Sequence, residues 1–260
     1  MSYAKANELK PGIWQLVLNR PEKMNVLSGE MVADLIREFS QLKIKANSSE
    51  LRVLILSSAS EKAFCAGADL SERIKMNEVQ VGQALDQLRI LTEAVEAFPV
   101  PTIAVINGIA FGGGLELALA CDMRVAASTA QMGLSETKLA IIPGAGGTQR
   151  LTQIVGVALA KEWIFTAKKI SATEARDAGL VNYCNDKPHE KALELAEEIA
   201  KAGPVAIRAA KKAIAGGQGL NMSAALDWER KCYNETISTS DRIEGLAAFQ
   251  EKRSPQYQGK

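Results

Sequence analysis

The apolar residues predict an α/β body followed by a helical tail. Short runs at 13–18 (IWQLVL), 51–57 (LRVLILS), 102–107 (TIAVIN) and 123–127 (MRVAA) read as buried strands. Helical patterns separate them, and strands alternating with helices indicate an α/β architecture. After about residue 156 the character changes. Most of the remaining chain reads as helix, with one short strand near Leu180–Cys184.

Each element has a local cause. A first helix begins after Ser28. A second runs from about Glu78 to Phe98, where Val81, Leu85, Leu88, Leu91 and Val95 recur at spacings of three and four. Pro99 and Pro101 stop it. In the tail, Ser171 and Glu174 have capping-box spacing, Pro204 suits a first helical turn, and Asp241 is placed to cap the helix immediately after it. No repeat, low-complexity tract or linker divides the chain, so the tail is expected to rest on the body or on a neighbouring subunit.

Composition narrows the function. The 260 residues suffice for one large domain with a sizeable core. Lys plus Arg number 31 against 30 for Asp plus Glu, which gives no global reason to expect a nucleic-acid or anionic-membrane partner. No apolar run approaches the ~18 residues of a membrane span. The first residues, MSYAKANELKPG, lack the apolar core of a secretory signal and the Arg-rich character of a transit peptide. A cytoplasmic protein, or one mature in an organellar matrix, is expected. The cysteines at 65, 121, 184 and 232 form no CxxC and read as reduced thiols. The single histidine, His189, lies in the polar stretch NDKPHEK and reads as a surface residue. Ser-His-Asp, Cys-His and His-ligated zinc chemistry therefore lack their central residue, and no metal site is expected. Acid–base work falls to carboxylates, Lys, Tyr or Cys.

Three segments can carry chemistry. Phe64–Leu70 (FCAGADL) is rich in small residues, which fits either a tight turn at Gly67 or the close approach of another molecule. Asn107–Asp122 (NGIAFGGGLELALACD) ends a strand, presents three glycines and starts an apolar helix. The first N–H groups of that helix lack partners and can meet a ligand oxygen. Glu116 is the only charge between Gly108 and Cys121. It is either a favourable partner of the helix dipole or a desolvated acid with a raised pKa, suited to proton transfer. Met132–Arg150 adds a second carboxylate, Glu136, and the run GAGGTQ. That run has no GK[ST], and Gln149 stands where a dinucleotide fingerprint needs Gly or Ala. A glycine turn shaping a pocket wall is the better reading.

These three segments, with Asn19-Arg20-Pro21 and the tail stretch Asp241–Arg253, resemble the enoyl-CoA hydratase/isomerase, or crotonase, superfamily over essentially the whole chain. The resemblance implies a spiral of ββα units, here residues 1–199, followed by a helical region, 200–260, that builds trimers, often paired into hexamers. It implies an acyl-CoA substrate and no cofactor, coenzyme A being part of the substrate. By motif, the oxyanion hole would be the N–H groups of Ala68 and Gly113. Glu116 would activate a water for attack on C3 of a 2-enoyl thioester, and Glu136 would supply the proton to C2. Lys23, Met24, Ala66, Asp69, Leu70 and Ser71 would contact CoA or substrate.

Several hydratases have Lys where this chain has Ser71, so phosphate contacts would fall to Arg73, Lys75 or Lys23. The stretches GGGLELALACDMRVAAS and MGLSETKLAIIPGAGGTQRL and the ending EKRSPQYQGK resemble the methylglutaconyl-CoA hydratase subfamily, which is also described as binding AU-rich RNA. The corresponding lysine-rich helix here has only Lys43 and Lys45, beside Glu50, so RNA binding is not carried over. Hydration of a short-chain enoyl-CoA is the expected activity. The alternatives are methylglutaconyl-CoA hydration, an isomerase of the same fold, or a scaffold without activity. The partners expected are the acyl-CoA and further copies of the chain, as homotrimer or homohexamer, with no membrane or nucleic acid.

Overall fold

The computed structural model describes residues 2–260. Strands β1 (Ala4–Lys10) and β2 (Ile13–Leu18) form an antiparallel hairpin, followed by helix α1 (Gly29–Asn47). Three similar turns of chain come next. Strands β3 (Val53–Ser58) and β4 (Ala63–Cys65) lead into helices α2 (Leu70–Arg73) and α3 (Glu78–Glu96). Strands β5 (Thr102–Ile106) and β6 (Ile109–Phe111) lead into α4 (Gly113–Leu119). Strands β7 (Met123–Ala127) and β8 (Gln131–Gly133) lead into α5 (Gly147–Val155) and α6 (Val157–Phe165). Then come β9 (Ile170–Ser171), α7 (Ala172–Asp177), β10 (Tyr183–Asn185) and α8 (Pro188–Ala200). The tail holds α9 (Pro204–Gly217), α10 (Met222–Ile237) and α11 (Ser240–Glu251).

The first strand of each turn joins one sheet and the second joins another. The larger sheet runs β1-β2-β3-β5-β7-β10 and the smaller β4-β6-β8-β9. Successive pairs from β2 to β10 in the larger sheet, and from β4 to β8 in the smaller, are parallel. This is a spiral of ββα units. Every turn therefore places a short β4-, β6- or β8-type strand, and the loop after it, at the same end of the molecule.

The inner strands β3 and β5 of the larger sheet are covered on both faces, which is why they read as apolar runs. Ile13, Val53, Ile55, Ile103, Val105 and Val125 face Ala192 and Ala196 of α8. Leu16, Leu54, Leu56, Ala104 and Ile106 face the main core, with Phe39 of α1 and Leu91 and Val95 of α3. Full burial of each such Leu or Ile contributes about 1.5–3 kcal/mol.

The expected caps are present at three of four places. Ser28 accepts from Met31 N, Ser171 and Glu174 form a reciprocal capping box, and Pro204 opens α9. Asp241 is the exception. Thr239 caps α11, and the Asp241 carboxylate instead accepts from Gln258 N at 2.6 Å and Gly259 N at 2.8 Å, which folds the last residues back onto the helix. The strand expected at Leu180–Cys184 pairs only over Tyr183–Asn185, because Leu180 and Val181 turn into the core beside α7. Strand β1 and the whole smaller sheet have no counterpart in the expected elements. The tail is tied to the body by Arg52, which donates to Ala200 O and Tyr257 O, and by Lys211 with Asp122. His189 is exposed on α8, as expected. Among the described residues, no helix is long and apolar enough to cross a membrane, and no cluster of His, Cys, Asp or Glu could hold a metal ion.

Candidate active site

Glycine allows two backbones to meet at the loop ends of the smaller sheet. Gly67 has φ 101° and lies so close to the turn after β6 that a β-carbon there would come 2.8 Å from Phe111 O and 3.6 Å from Gly113 N. A β-carbon on Gly114 would come 2.2 Å from Cys65 O. The tight-turn reading of Gly67 thus holds, and the group that approaches its backbone is the protein's own second glycine segment rather than another molecule. Ala68 N and Gly113 N end up adjacent, since a β-carbon on Gly113 would lie 3.8 Å from Ala68 N. Neither N–H donates to a protein acceptor among the described residues. Gly113 opens α4, whose first N–H groups have no intrahelical partner. Ala68 sits in a parallel bridge in which Leu27 bonds to its neighbours: Leu27 N donates to Gly67 O and Asp69 N donates to Leu27 O.

The two acids converge on the same corner. A β-carbon on Gly112 would be 3.1 Å from Glu136 Oε1, and one on Gly113 would be 3.9 Å from Glu116 Oε2. Glu116 is 2% exposed, inside α4. Its Oε1 accepts from Ala145 N at 2.7 Å and Gly147 N at 2.8 Å, while Oε2 remains on the Gly113 side. Gly147 opens α5, so the Gly-rich run does hold an anion at a helix N-terminus. That anion is Glu116, and a β-carbon on Gly147 would reach to 2.9 Å of its Oε1.

The surroundings of the two carboxyls differ. Burial pushes Glu116 above the ordinary range, while the Gly147 and Ala145 N–H groups and the Arg150 charge pull it back. Glu136 opens a 3-10 turn over Glu136–Leu139. Its Oε2 is buried with no hydrogen-bond partner among the described residues. Burial pushes its carboxyl up to about 7, against its own backbone N–H, and the Glu116 charge pushes the same way. One acid is therefore furnished with two backbone donors from another loop, and the other has only its own backbone N–H, with Oε2 left unpaired among the described residues. A site of this kind can hold a base and a proton donor together near neutral pH.

The remaining expected residues also gather here. Residues 21–23 make a 3-10 turn, and Met24 and Asn25 come after it with φ 51° and 53°. Asn25, fully buried, anchors that turn: Nδ2 donates to Ser58 Oγ at 2.7 Å and Phe64 O at 3.1 Å, and Oδ1 accepts from Arg20 N at 2.8 Å. Met24 O accepts from Ala66 N at 3.0 Å. Lys23, Met24, Leu70 and Ser71 thus line one exposed edge beside Ala66 and Ala68. The Asp69 carboxylate faces inward, accepting from Ser71 N at 3.1 Å and Ser71 Oγ at 2.5 Å and pairing with Arg20 at 3.4 Å. Arg73 is engaged by Val81 O at 3.3 Å, whereas Lys75 is exposed. The motifs did not disclose Asn25 or the Ala145 and Gly147 donors; the glycines of GAGG were the one signal of a close contact there.

The chain's likeness to known proteins settles its family. The model described as enoyl-CoA hydratase/isomerase matches residues 8–260. The chain belongs to the enoyl-CoA hydratase/isomerase family. It is 47% identical over 255 residues to mouse enoyl-CoA hydratase domain-containing protein 2, mitochondrial, covering 96% of this chain and 85% of that protein. It is 48% identical over 254 residues to rat methylglutaconyl-CoA hydratase, mitochondrial, covering 95% and 80%. A crystal structure of an enoyl-CoA hydratase from Bacillus anthracis superposes with a TM-score of 0.96 at 49% identity, covering 99% and 100% of the two chains. The crotonase architecture expected from the motifs is therefore that of this enoyl-CoA hydratase/isomerase family member, and the corner at Gly112–Gly113 lies in an enzyme.

The unequal acids set a pH dependence. A proton donor titrating near 7 is lost as pH rises through that value, whereas a base is lost as pH falls through its own. Turnover of this family member should therefore decline on an alkaline limb centred near pH 7 and on an acidic limb set by the base. Glu136→Gln should abolish the alkaline limb in a kcat/KM profile. An unchanged limb in that variant would assign it to another group.

Proposed function

We propose that the chain hydrates short 2-enoyl-CoA thioesters. The observation that carries this is the Gly112–Gly113 corner, where two unpartnered N–H groups adjoin one donor-supported and one unsupported carboxyl. The thioester oxygen would accept from Ala68 N and Gly113 N, so that charge can build up on it as an enolate. One such donor contributes about 3–4 kcal/mol to the transition state. Glu116 Oε2 would take a proton from water as its oxygen bonds to C3, and Glu136 would deliver a proton to C2. The hydroxyl and the hydrogen thus both come from water and the pair of acids, with no cofactor. Of the candidates for the CoA phosphates, Lys23 and Lys75 are exposed and make no ion pair among the described residues, while Arg73 is committed to Val81. The rat relative's name keeps a branched diacid substrate as the second reading.

Crotonyl-CoA hydration should be measurable in the wild type and fall by roughly 10²–10⁴ in Glu116→Gln and in Glu136→Gln. The double variant should be far less than multiplicatively worse, because the acids act on one water. Near-wild-type turnover by either single variant would contradict the reading. In the same assay, a kcat/KM for 3-methylglutaconyl-CoA more than about a hundredfold above that for crotonyl-CoA would transfer the preference to the branched diacid. That ratio corresponds to nearly 3 kcal/mol of transition-state discrimination.

The tail is proposed to assemble the protein into trimers or hexamers. Leu226, Ile237, Leu246 and Phe249 leave large apolar surfaces in water in a single chain, and Phe249 is 86% exposed. Such a concentration of exposed apolar side chains is characteristic of an interface. Light scattering should give a mass of three or six chains; a monomer at micromolar concentration would refute this.

A further inference from the structure

The loop that holds Glu116 is itself held from two helices. Ala145 O accepts from Arg150 Nη1 at 2.8 Å and from Thr92 Oγ1 at 3.1 Å, while Ala145 N donates to Glu116 Oε1. Thr92 stands on α3 and is 2% exposed; Arg150 stands on α5. The guanidinium lies across Gly146, where φ is 97° and a β-carbon would meet Nη1 at 2.2 Å. Its outer edge pairs with Glu96 at 2.7 Å, but the Glu96 side chain is half exposed, and such pairs stabilise by only about 0–1 kcal/mol. Arg150 Nε is meanwhile buried without a partner among the described residues. Burying a guanidinium with an unmet donor is costly, so the surface ion pair does not account for its placement.

We propose that Arg150 and Thr92 are positioning residues for Glu116: by fixing Ala145 O they aim the Ala145 and Gly147 N–H groups at one carboxylate oxygen and leave Oε2 as the oxygen that faces the reacting atoms. The kinetic side of this proposal rests on the hydratase reading; the placement of the carboxylate does not. Other charged groups around the unit are Glu136 across the cleft and Arg89, Glu93 and Glu96 of α3 beside Arg150.

The test is carbon-13 NMR of protein labelled at the glutamate carboxyl carbon, with the Glu116 signal identified by its loss in Glu116→Gln. Weakening the clamp removes support for the charged form, so the Glu116 titration midpoint should rise in Arg150→Met, less in Arg150→Lys, and also in Thr92→Val. In crotonyl-CoA hydration, Arg150→Met should lower kcat by up to about 100-fold, the cost of a misplaced reacting group, with KM nearly unchanged. Its acidic limb should move to higher pH while the alkaline limb stays, and Arg150→Lys should recover part of the loss. An unmoved Glu116 midpoint in Arg150→Met overturns the proposal, whatever happens to kcat. Should that variant fail to fold, an unmoved midpoint in Thr92→Val overturns it instead. A wild type that hydrates no enoyl-CoA defeats the hydratase reading, and the NMR midpoint then decides the positioning by itself.

Discussion

The contact on which the site depends is backbone against backbone: Gly67 under Phe111 O and Gly114 over Cys65 O. No side chain fits at either place. A methyl group on Gly114 would have to push β4 and α4 apart, and with them the two N–H groups at Ala68 and Gly113. The ββα spiral supplies this contact, because each turn returns a short strand of the smaller sheet beside the previous one. The larger sheet and its two apolar layers hold those ends in register. Dense packing resists the small displacements that would separate two donors meant for one oxygen.

Placing acids in that corner has a second consequence. Buried carboxyls resist ionisation, and the protein answers the two cases differently. Glu116 receives the N-terminus of α5 and stays within reach of Arg150. Glu136 receives nothing at Oε2. The difference between the two carboxyls is therefore written in backbone N–H groups more than in side-chain identity, since both residues are glutamates. The folded protein accepts a buried oxygen at Glu136 that has no partner among the described residues, a cost that packing elsewhere offsets and that is common at functional sites.

Much of this was legible in the residues, and the exceptions have physical causes. Strands 13–18 and 123–127 were readable because their side chains are mostly apolar and mostly buried, with Gln15 and Arg124 as the single polar residue of each. The strands of the smaller sheet have two or three residues each, too few to show a period. Strand β1 is an exposed edge with charges along it, so no apolar run marks it. Asp241 carried a cap signature but is used by Gln258 and Gly259, a partnership across the fold that local spacing does not encode. Glu116 and Glu136 stood out as acids in apolar or glycine-rich settings. Their convergence, and the capture of Glu116 by the Gly-rich loop, depend on contacts between residues about 20 to 30 positions apart, and motif resemblance supplied the first of these but not the second.

The paired N–H groups are the feature on which the rest of the chemistry rests, and they can be observed directly. Raman or infrared difference spectroscopy of crotonyl-CoA bound to the Glu116→Gln protein reads the thioester carbonyl without turnover. Two donors aimed at that oxygen require its stretching band to move to lower frequency than in free crotonyl-CoA. Introducing Gly67→Ala should return the band toward the free value, because a β-carbon 2.8 Å from Phe111 O displaces Ala68 from Gly113. A bound carbonyl that absorbs where the free thioester does would contradict an oxyanion hole at Ala68 and Gly113.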